Sequence, residues 1–144
     1  MTHAPHPGVD DAQRDALLQA AVAAMQRAYA PYSKFPVGAA VLDAQGRIHA
    51  GCNVENAAYP QGVCAEAGAL SAMLLAGGTE VRAVLVVGQG EGLVTPCGGC
   101  RQKIREFAAP GTPILIANPQ QVRATFTLAQ LLPHSFGPEH LASS

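Results

Sequence analysis

Three cysteines in two short segments constrain the fold of this 144-residue chain more than any other feature. Cys64 lies in one segment, and Cys97 and Cys100 form a Cys-x-x-Cys pair in the other. If the pair opens a helix, its two thiols lie one turn apart on the same face and can bind one metal ion. Three cysteine ligands leave the fourth tetrahedral position of a zinc ion open for water. The fold is therefore expected to bring two distant segments together.

Glu66, two residues after Cys64, is the candidate for a reactive carboxylate beside such a metal. On an ideal helix, positions two residues apart point about 200° away from each other. The hypothesis therefore requires Cys64 to cap a helix and Glu66 to lie in its first turn. Three cysteines, a non-ligand glutamate and a Pro-Cys-x-x-Cys run together resemble the known pattern of zinc deaminases.

The cysteines are also compatible with roles that involve no catalysis. A Cys-x-x-Cys pair by itself also marks redox disulfides and structural zinc sites. Cys52 or His49 could supply a fourth ligand and leave no position for water. A purely structural site, however, has no use for Glu66.

Composition favours a single domain that acts on a small, nearly neutral substrate. The chain has 9 basic and 10 acidic residues, and 49% of its residues are hydrophobic. This balance gives no electrostatic signature of nucleic-acid or membrane binding. There is no run of about 20 apolar residues and no signal-peptide pattern. Four cysteines without a secretory signal predict reduced thiols and a cytoplasmic protein.

The hydrophobic pattern predicts alternating helices and strands after a disordered tail at residues 1–9. A helix capped by Asp10 or Asp11 should run to about Tyr29. The other predicted helices are 64–75, 97–108 and 128–132, and the predicted strands are 37–42, 48–54, 81–87, 114–117 and 122–127. This order predicts one domain, residues 10–144, with an α/β fold: a three-layer α/β/α sandwich on a mixed five-stranded sheet.

Two further features bear on the site. The run Asn53-Val54-Glu55-Asn56 follows a strand, and its amides and carboxylate are suited to binding hydroxyl groups, although a solvated loop is the simpler alternative. Three thiolates around Zn²⁺ give a net charge of about −1, which two helix amino ends can offset. Arg101 is a further candidate for this role, with a surface salt bridge as the alternative.

Four runs together resemble the small homotetrameric cytidine deaminases: residues 32–40, 51–56, 64–66 and 96–102. The resemblance covers nearly the whole chain from Asp10 to Leu141. It implies a cytoplasmic enzyme of pyrimidine salvage that hydrolyses cytidine and 2'-deoxycytidine to uridine and 2'-deoxyuridine with release of ammonia. It also implies one Zn²⁺ per chain, which activates water as the hydroxide that attacks C4 of the base.

The resemblance also assigns roles to individual residues. Cys64, Cys97 and Cys100 become the zinc ligands, and Glu66 becomes the proton shuttle. Asn53 and Glu55 are expected to bind the ribose 3'-hydroxyl. The remaining expected substrate contacts are the Phe35 ring and the Ala65 backbone against the base, with Tyr59 and Phe136 at positions where a neighbouring subunit completes the pocket. The nucleoside is then the small-molecule partner, and the active sites of the homotetramer are shared between subunits.

One position departs from the resemblance. Many members have an arginine after the catalytic glutamate, which helps to neutralise the thiolates, whereas this chain has Ala67. Charge compensation would then depend more on the helix ends and Arg101. Two related classes of deaminase fit the sequence less well. A polynucleotide-editing deaminase is disfavoured by the neutral charge and by Asn53 and Glu55, and a blasticidin-type deaminase is expected to lack the Asn-x-Glu-Asn loop.

Overall fold

The computed structural model describes residues 8–141, which form helices on both faces of one sheet. The α-helices are α1 (Asp11–Met25), α2 (Ala65–Leu75), α3 (Gly98–Arg105) and α4 (Leu128–Leu131). The β-strands are β1 (Val37–Asp43), β2 (Ile48–Cys52), β3 (Val81–Gly88), β4 (Pro113–Ala117) and β5 (Val122–Thr127). Tyr59–Gln61 and Pro138–His140 form short 3₁₀ turns.

The sheet has the strand order β2-β1-β3-β4-β5. β3 and β4 pair in parallel, and the other neighbouring strands pair antiparallel. The central strand β3 has a valine-rich sequence and is almost completely buried, as expected for a strand covered on both faces. The predicted mixed five-stranded sheet is therefore confirmed.

Alternate residues of β1 belong to different layers of the core, because successive side chains of a strand point to opposite faces. Ala39 and Val41 pack in the cluster that contains residues of α2 and α3, whereas Ala40 and Leu42 pack in the cluster that contains residues of α1. The helices thus cover both faces, and the predicted three-layer arrangement is confirmed.

Helix α1 begins as predicted but ends earlier. The Asp10 side chain accepts a hydrogen bond of 2.7 Å from the Gln13 N–H, and the Gln13 side chain accepts one of 3.1 Å from the Asp10 N–H. This reciprocal pair caps the helix. The helix ends at Met25, so the predicted end near Tyr29 was wrong.

Tertiary hydrogen bonds explain the early end of α1. The Tyr29 N–H donates to the carbonyl oxygen of Asn53 at 3.0 Å, and the Glu55 N–H donates to the Tyr29 carbonyl oxygen at 2.8 Å. Tyr29 therefore pairs with the chain that follows β2 instead of continuing the helix. This pairing fixes the segment that carries Asn53 and Glu55.

Two other predicted ends differ from the structure by more than one residue. β2 ends at Cys52, because Val54 pairs with Val63 rather than extending the hairpin. α3 ends at Arg105, because the Phe107 carbonyl accepts a hydrogen bond of 2.9 Å from the Val81 N–H. In both cases the element ends where its backbone pairs with another segment, although the hydrophobic pattern of the sequence continues further.

The amino-terminal tail falls partly outside the described residues. Residues 1–7 of the predicted tail lie there, whereas Val9 is only 3% exposed and packs in the core cluster beneath α1. Within residues 8–141, none of the helices has the length and apolar character needed to cross a bilayer.

Candidate metal centre and active site

The two cysteine segments meet at the amino ends of two helices. Cys64 is the N-cap of α2 and Cys97 is the N-cap of α3, and both have extended backbone conformations. Cys100 lies in the first turn of α3 and is fully buried. The Sγ atoms of Cys64 and Cys97 are 4.0 Å apart, and all three sulfur atoms lie within 4.8 Å of one another.

These distances fit a zinc ion. Two sulfur ligands about 2.3 Å from a tetrahedral zinc are about 3.8 Å apart, so small side-chain movements would bring the cluster onto one ion. Each helix amino end carries a charge of roughly +0.5, which favours thiolates there. The chemistry of the donor set and its position on two helix ends therefore suit Zn²⁺ with one position open to water.

The close contact between β2 and α2 positions Cys64. A Cβ atom at Gly51 would lie 2.5 Å from the carbonyl oxygen of Ala65 and 2.4 Å from the backbone nitrogen of Ala69. Only glycine lets the strand approach the first turns of the helix this closely. The amino end of α2 is therefore held against the sheet by backbone contact.

Glu66 lies in the first turn of α2 and is only 4% exposed. Burial raises the pKa of its carboxyl group, since a low-dielectric surrounding disfavours the charged form. Hydrogen bonds, including one with Cys100, and the Lys103 charge oppose this rise. A carboxyl group with a raised pKa beside a metal ligand is suited to accepting and returning a proton.

The three thiols have different pKa values because their surroundings differ. Burial raises the pKa of the Cys64 and Cys100 thiols. The backbone N–H of Cys100 donates to the Cys97 sulfur and is the main cause that lowers the pKa of Cys97. Metal binding requires all three as thiolates, so it is coupled to release of protons.

Arg101 contacts the loops around the cluster. Its guanidinium donates hydrogen bonds to the carbonyl oxygens of Pro96 and Leu131, at 2.7 and 2.8 Å, and to the Thr95 hydroxyl, at 3.2 Å. The first bond ties the residue before Cys97 to helix α3. Through these bonds Arg101 holds the segment that precedes Cys97, and its positive charge lies next to that segment.

Asn53 and Glu55 both bind the segment that precedes β1. Asn53 accepts a hydrogen bond from the Val37 N–H at 2.8 Å and donates one to the Phe35 carbonyl oxygen at 3.0 Å. Glu55 accepts hydrogen bonds from the N–H groups of Tyr32 and Ser33, at 3.0 and 3.1 Å, and one from the Ser33 hydroxyl. The two predicted sugar-binding residues thus hold the loop that carries Phe35.

The other predicted base and sugar contacts lie near this loop. Phe35 is 41% exposed and its ring lies close to Gly88 at the end of β3. Ala65 is the first residue of α2, between Cys64 and Glu66. Glu55 and Tyr59 line one cleft of about 380 Å³, whose other lining residues are Tyr32, Ser33, Asn56 and Gly62.

Phe136 lies elsewhere on the chain. It is 55% exposed, stacks on His140 with ring centroids 5.1 Å apart, and its carbonyl oxygen accepts a hydrogen bond of 2.9 Å from the Gln102 side chain. It shares no lining residue with the cleft that contains Glu55 and Tyr59. Within one chain, the structure therefore does not bring Phe136 into that cleft.

A fourth ligand does not join the cysteine cluster. In the part of the chain that the structure describes, the group of side chains close enough to hold a metal ion contains Cys64, Cys97 and Cys100 alone. The Nε2 atom of His49 is instead 2.8 Å from the Asp43 carboxylate. The alternative of a closed structural site with His49 or Cys52 therefore has no support in this geometry.

The hydrogen bond between Ser33 and Glu55 was not predicted from the sequence. Its hydroxyl contacts Glu55, which is 22 residues away along the chain. The signal was present, because Ser33 follows Pro31 in a turn and serine hydroxyls commonly bond in turns. The identity of its partner, however, depends on how the segment around Tyr29 pairs with the chain after β2.

Comparisons with known proteins agree with this geometry. The family model described as the cytidine and deoxycytidylate deaminase zinc-binding region matches residues 11–115. A cytidine deaminase from Sporosarcina psychrophila is 44% identical over 119 residues, which cover 83% of this chain and 88% of that protein. A cytidine deaminase from Mycobacterium tuberculosis (strain H37Rv) is 41% identical over 114 residues, which cover 79% of this chain and 82% of that protein.

Solved structures give the same result. The crystal structure of cytidine deaminase from Burkholderia pseudomallei matches with a TM-score of 0.78 and 44% identity, and the match covers 85% of this chain and 98% of that one. That of the Mycobacterium tuberculosis enzyme matches with a TM-score of 0.72 and 39% identity, over 85% of this chain and 96% of that one. The family model, the relatives and the arrangement of the three cysteines lead to one conclusion: the chain belongs to the cytidine and deoxycytidylate deaminase family.

Proposed function

We propose that this protein hydrolyses cytidine and 2'-deoxycytidine to uridine and 2'-deoxyuridine and releases ammonia. One observation carries the proposal: a buried glutamate, Glu66, contacts Cys100 within a cluster of three cysteines at two helix amino ends. The cysteines can hold a metal with an open position, and the glutamate can transfer protons beside it. The cytidine deaminases to which the chain is similar support this choice of substrate.

One Zn²⁺ per chain, bound by Cys64, Cys97 and Cys100, would lower the pKa of water toward about 7. Glu66 would accept a proton from the attacking water and pass it to N3 of the pyrimidine as the water oxygen bonds to C4. It then transfers the second water proton to the amino group on C4, and the C4–N bond breaks to release ammonia. The raised pKa of Glu66 suits both the acceptance and the return of a proton.

The hydrogen-bonding capacity of Asn53 and Glu55 supports their role in sugar binding. Asn53 has one amide hydrogen beyond the one given to Phe35, and Glu55 Oε2 has one acceptor position beyond the Ser33 hydroxyl. A hydroxyl group needs one donor and one acceptor. We assign this pair to the 3'-hydroxyl of the nucleoside.

Phe35 and Ala65 are assigned to the base. The first N–H groups of a helix have no acceptor within the helix, so the Ala65 N–H at the start of α2 can donate to the pyrimidine. The exposed Phe35 ring supplies an apolar surface for the flat base. Asn53 binds the Phe35 carbonyl oxygen, and Ala65 lies between Cys64 and Glu66.

We further propose that the protein is a homotetramer whose active sites are completed by Tyr59 and Phe136 of neighbouring subunits. Their exposure in the isolated chain, 75% and 55%, supports this role, because large exposed aromatic side chains are typical of interfaces. A cytoplasmic site of action in pyrimidine salvage fits three thiols that must stay reduced.

The experiment that tests the proposal measures loss of absorbance near the cytidine band when purified protein is mixed with cytidine, with zinc quantified in the same sample. We expect turnover and about one zinc per chain. Cys97→Ala should lose both zinc and turnover, because two thiolates hold the ion poorly. A full equivalent of zinc in Cys97→Ala would contradict the ligand assignment. Bound zinc without turnover of cytidine in the parent protein would contradict the proposed substrate.

A further inference from the structure

We propose that Ser33 is a positioning residue that holds the Glu55 carboxylate in the orientation that accepts the sugar hydroxyl of the substrate. The inference rests on the function proposed above, in which Glu55 binds that hydroxyl. It goes beyond that proposal by assigning the geometry of the carboxylate to a hydroxyl group in another segment of the chain.

The two carboxylate oxygens of Glu55 differ in their hydrogen bonds. Oε1 accepts from the backbone N–H groups of Tyr32 and Ser33, at 3.0 and 3.1 Å. Each carboxylate oxygen has about two acceptor positions, so Oε1 is fully used. Oε2 accepts from the Ser33 hydroxyl and keeps one position for a ligand. Ser33 therefore contacts the oxygen that remains available to substrate.

A second hydrogen bond fixes the direction of the Ser33 hydroxyl. The Phe35 N–H donates to Ser33 Oγ at 3.0 Å, so the hydroxyl acts as an acceptor in that bond. Its single hydrogen is then free to point at Glu55. Because the hydroxyl donates on one side and accepts on the other, it links the carboxylate to the backbone of Phe35.

The same contacts keep Glu55 charged. The hydrogen bond from Ser33 is the main cause that lowers the pKa of the Glu55 carboxyl group, and the two backbone N–H groups act in the same direction. Glu55 therefore stays ionised at neutral pH and offers acceptor positions only. An ionised, oriented carboxylate binds a hydroxyl more strongly than a neutral group does.

The loop that carries Ser33 has an unusual backbone shape. Lys34 has a φ of +60°, a left-handed conformation that non-glycine residues rarely adopt. Its N–H donates to the Ala30 carbonyl oxygen at 3.0 Å. Such a conformation persists where surrounding hydrogen bonds hold it. Here both bonds are made to the next residue: Ser33 Oγ accepts from the Phe35 N–H, and the Asn53 side chain donates to the Phe35 carbonyl oxygen. The loop is thus built to keep Ser33 and Glu55 together.

The test compares cytidine with 3'-deoxycytidine, which lacks the hydroxyl that Glu55 is proposed to bind. Ser33→Ala should lower kcat/KM for cytidine about tenfold, and for 3'-deoxycytidine less than about threefold. Ser33→Thr keeps a hydroxyl and should remain within about threefold of the parent protein on both substrates. Thr79→Ala, which removes an exposed hydroxyl after α2, is the control for an unrelated loss and should change neither value.

Glu55→Ala separates the role of Ser33 from that of Glu55. Suppose that Glu55→Ala lowers kcat/KM more for cytidine than for 3'-deoxycytidine, but Ser33→Ala lowers kcat/KM equally for the two substrates. The role of Ser33 is then overturned and the role of Glu55 stands. If Glu55→Ala also affects both substrates equally, the assignment of Glu55 to the hydroxyl fails, and the inference about Ser33 fails with it. If kcat/KM for cytidine were as low in Ser33→Thr as in Ser33→Ala, the role of the hydroxyl would likewise be overturned.

Discussion

The two ends of helix α2 each lie beside a buried carboxylate, and the pKa values of the two groups move in opposite directions. Glu66 lies in the first turn and has a raised pKa, whereas Asp43 lies beside the carboxyl end and has a pKa of about 2. Both side chains are shielded from solvent, Asp43 fully and Glu66 with 4% exposed, and burial raises the pKa of each carboxyl group.

The two carboxyl groups differ in the partners that oppose this effect of burial. Burial raises the pKa of Asp43, but hydrogen bonds from the His49 side chain and from the N–H groups of Arg47 and Gln45, with the Arg47 charge, outweigh that effect. The same arginine donates to the carbonyl oxygen of Ala76, which is the C-cap of α2, at 3.0 Å. For Glu66, burial outweighs the opposing contacts.

Glu66, the proposed proton shuttle, thus lies in the first turn of α2, whereas Asp43 belongs to β1 and stabilises the chain beside the other end of the helix. A carboxylate with enough donors is stable only as the charged form and resists a change of protonation state. One with few donors has its two forms closer in free energy at working pH, which is what a proton shuttle needs. The difference predicts that replacing the two groups changes different properties of the protein.

Glu66→Gln should give the largest effect on turnover. We expect kcat to fall by about 10²- to 10⁴-fold, because glutamine cannot accept or return a proton. The zinc content and the circular dichroism spectrum should stay those of the parent protein. A steady-state assay with cytidine measures the first change, and a near-normal rate would contradict the role of Glu66.

Asp43→Asn should instead destabilise the fold by about 2 kcal/mol, since hydrogen bonds to a charged carboxylate are lost at the turn between β1 and β2. Turnover at 25 °C should remain within about threefold of the parent value. Denaturant unfolding followed by circular dichroism measures the loss. If Asp43→Asn lowered turnover as much as Glu66→Gln does, the division between the two ends of α2 would be wrong.

The stabilisation from Asp43 has a definite pH dependence. Its pKa in the folded protein is about 2, below the ordinary value of 3.8. The stabilisation is therefore fully present above about pH 4 and is lost as the pH falls toward 2. The difference in stability between the parent and Asp43→Asn should narrow over this range. Asp15→Asn, at a mostly exposed aspartate, is the matched control for the loss of one negative charge.

The cysteine cluster, the position of Glu66 and the sheet could be predicted because they depend on short sequence motifs and on hydrophobic periodicity. The spacing of Cys64, Cys97 and Cys100 predicted one cluster, and the position of Glu66 required Cys64 to cap α2, as the structure shows. Valine-rich and alternating segments predicted the sheet. These features depend on residues that are close in sequence and on the periods of helices and strands.

The features that sequence reasoning missed depend on contacts between distant segments. His49 was considered as a fourth metal ligand, but it contacts Asp43 across the β1–β2 turn. Tyr29 was predicted inside α1, but it pairs with the chain after β2. In each case the partner is set by the packed fold, and no local preference in the sequence identifies it.

Two glycines allow the comparison to be tested through the backbone. A Cβ at Gly51 would meet the backbone of the first turns of α2 at 2.4–2.5 Å, and one at Gly78 would lie 2.9 Å from the Asp43 carboxylate. Gly51→Ala should lower kcat about 10- to 100-fold by displacing Cys64 and Glu66. Gly78→Ala should mainly lower stability, by about 1–3 kcal/mol.

Both glycine variants need the same two measurements, kcat with cytidine and the free energy of unfolding. Gly111→Ala is the control, because a Cβ atom there would meet no atom within 4 Å. Equal losses of kcat in Gly51→Ala and Gly78→Ala would show that the two ends of α2 move together. In that case the separation between a reactive end and a structural end would not hold.

Ala67→Arg should give the smallest effect and tests how the charge of the thiolates is compensated at the amino end of α2. The new charge would lie one residue after Glu66 in the first turns of α2, while Arg101 stays bonded to Pro96 and Leu131. An exposed charge pair is worth about 1 kcal/mol, so zinc should be retained up to about fivefold more tightly against a chelator. Ala67→Gln is the matched control without charge. If both variants retain zinc equally, the helix ends and Arg101 already compensate the thiolates, and the charge at position 67 adds nothing.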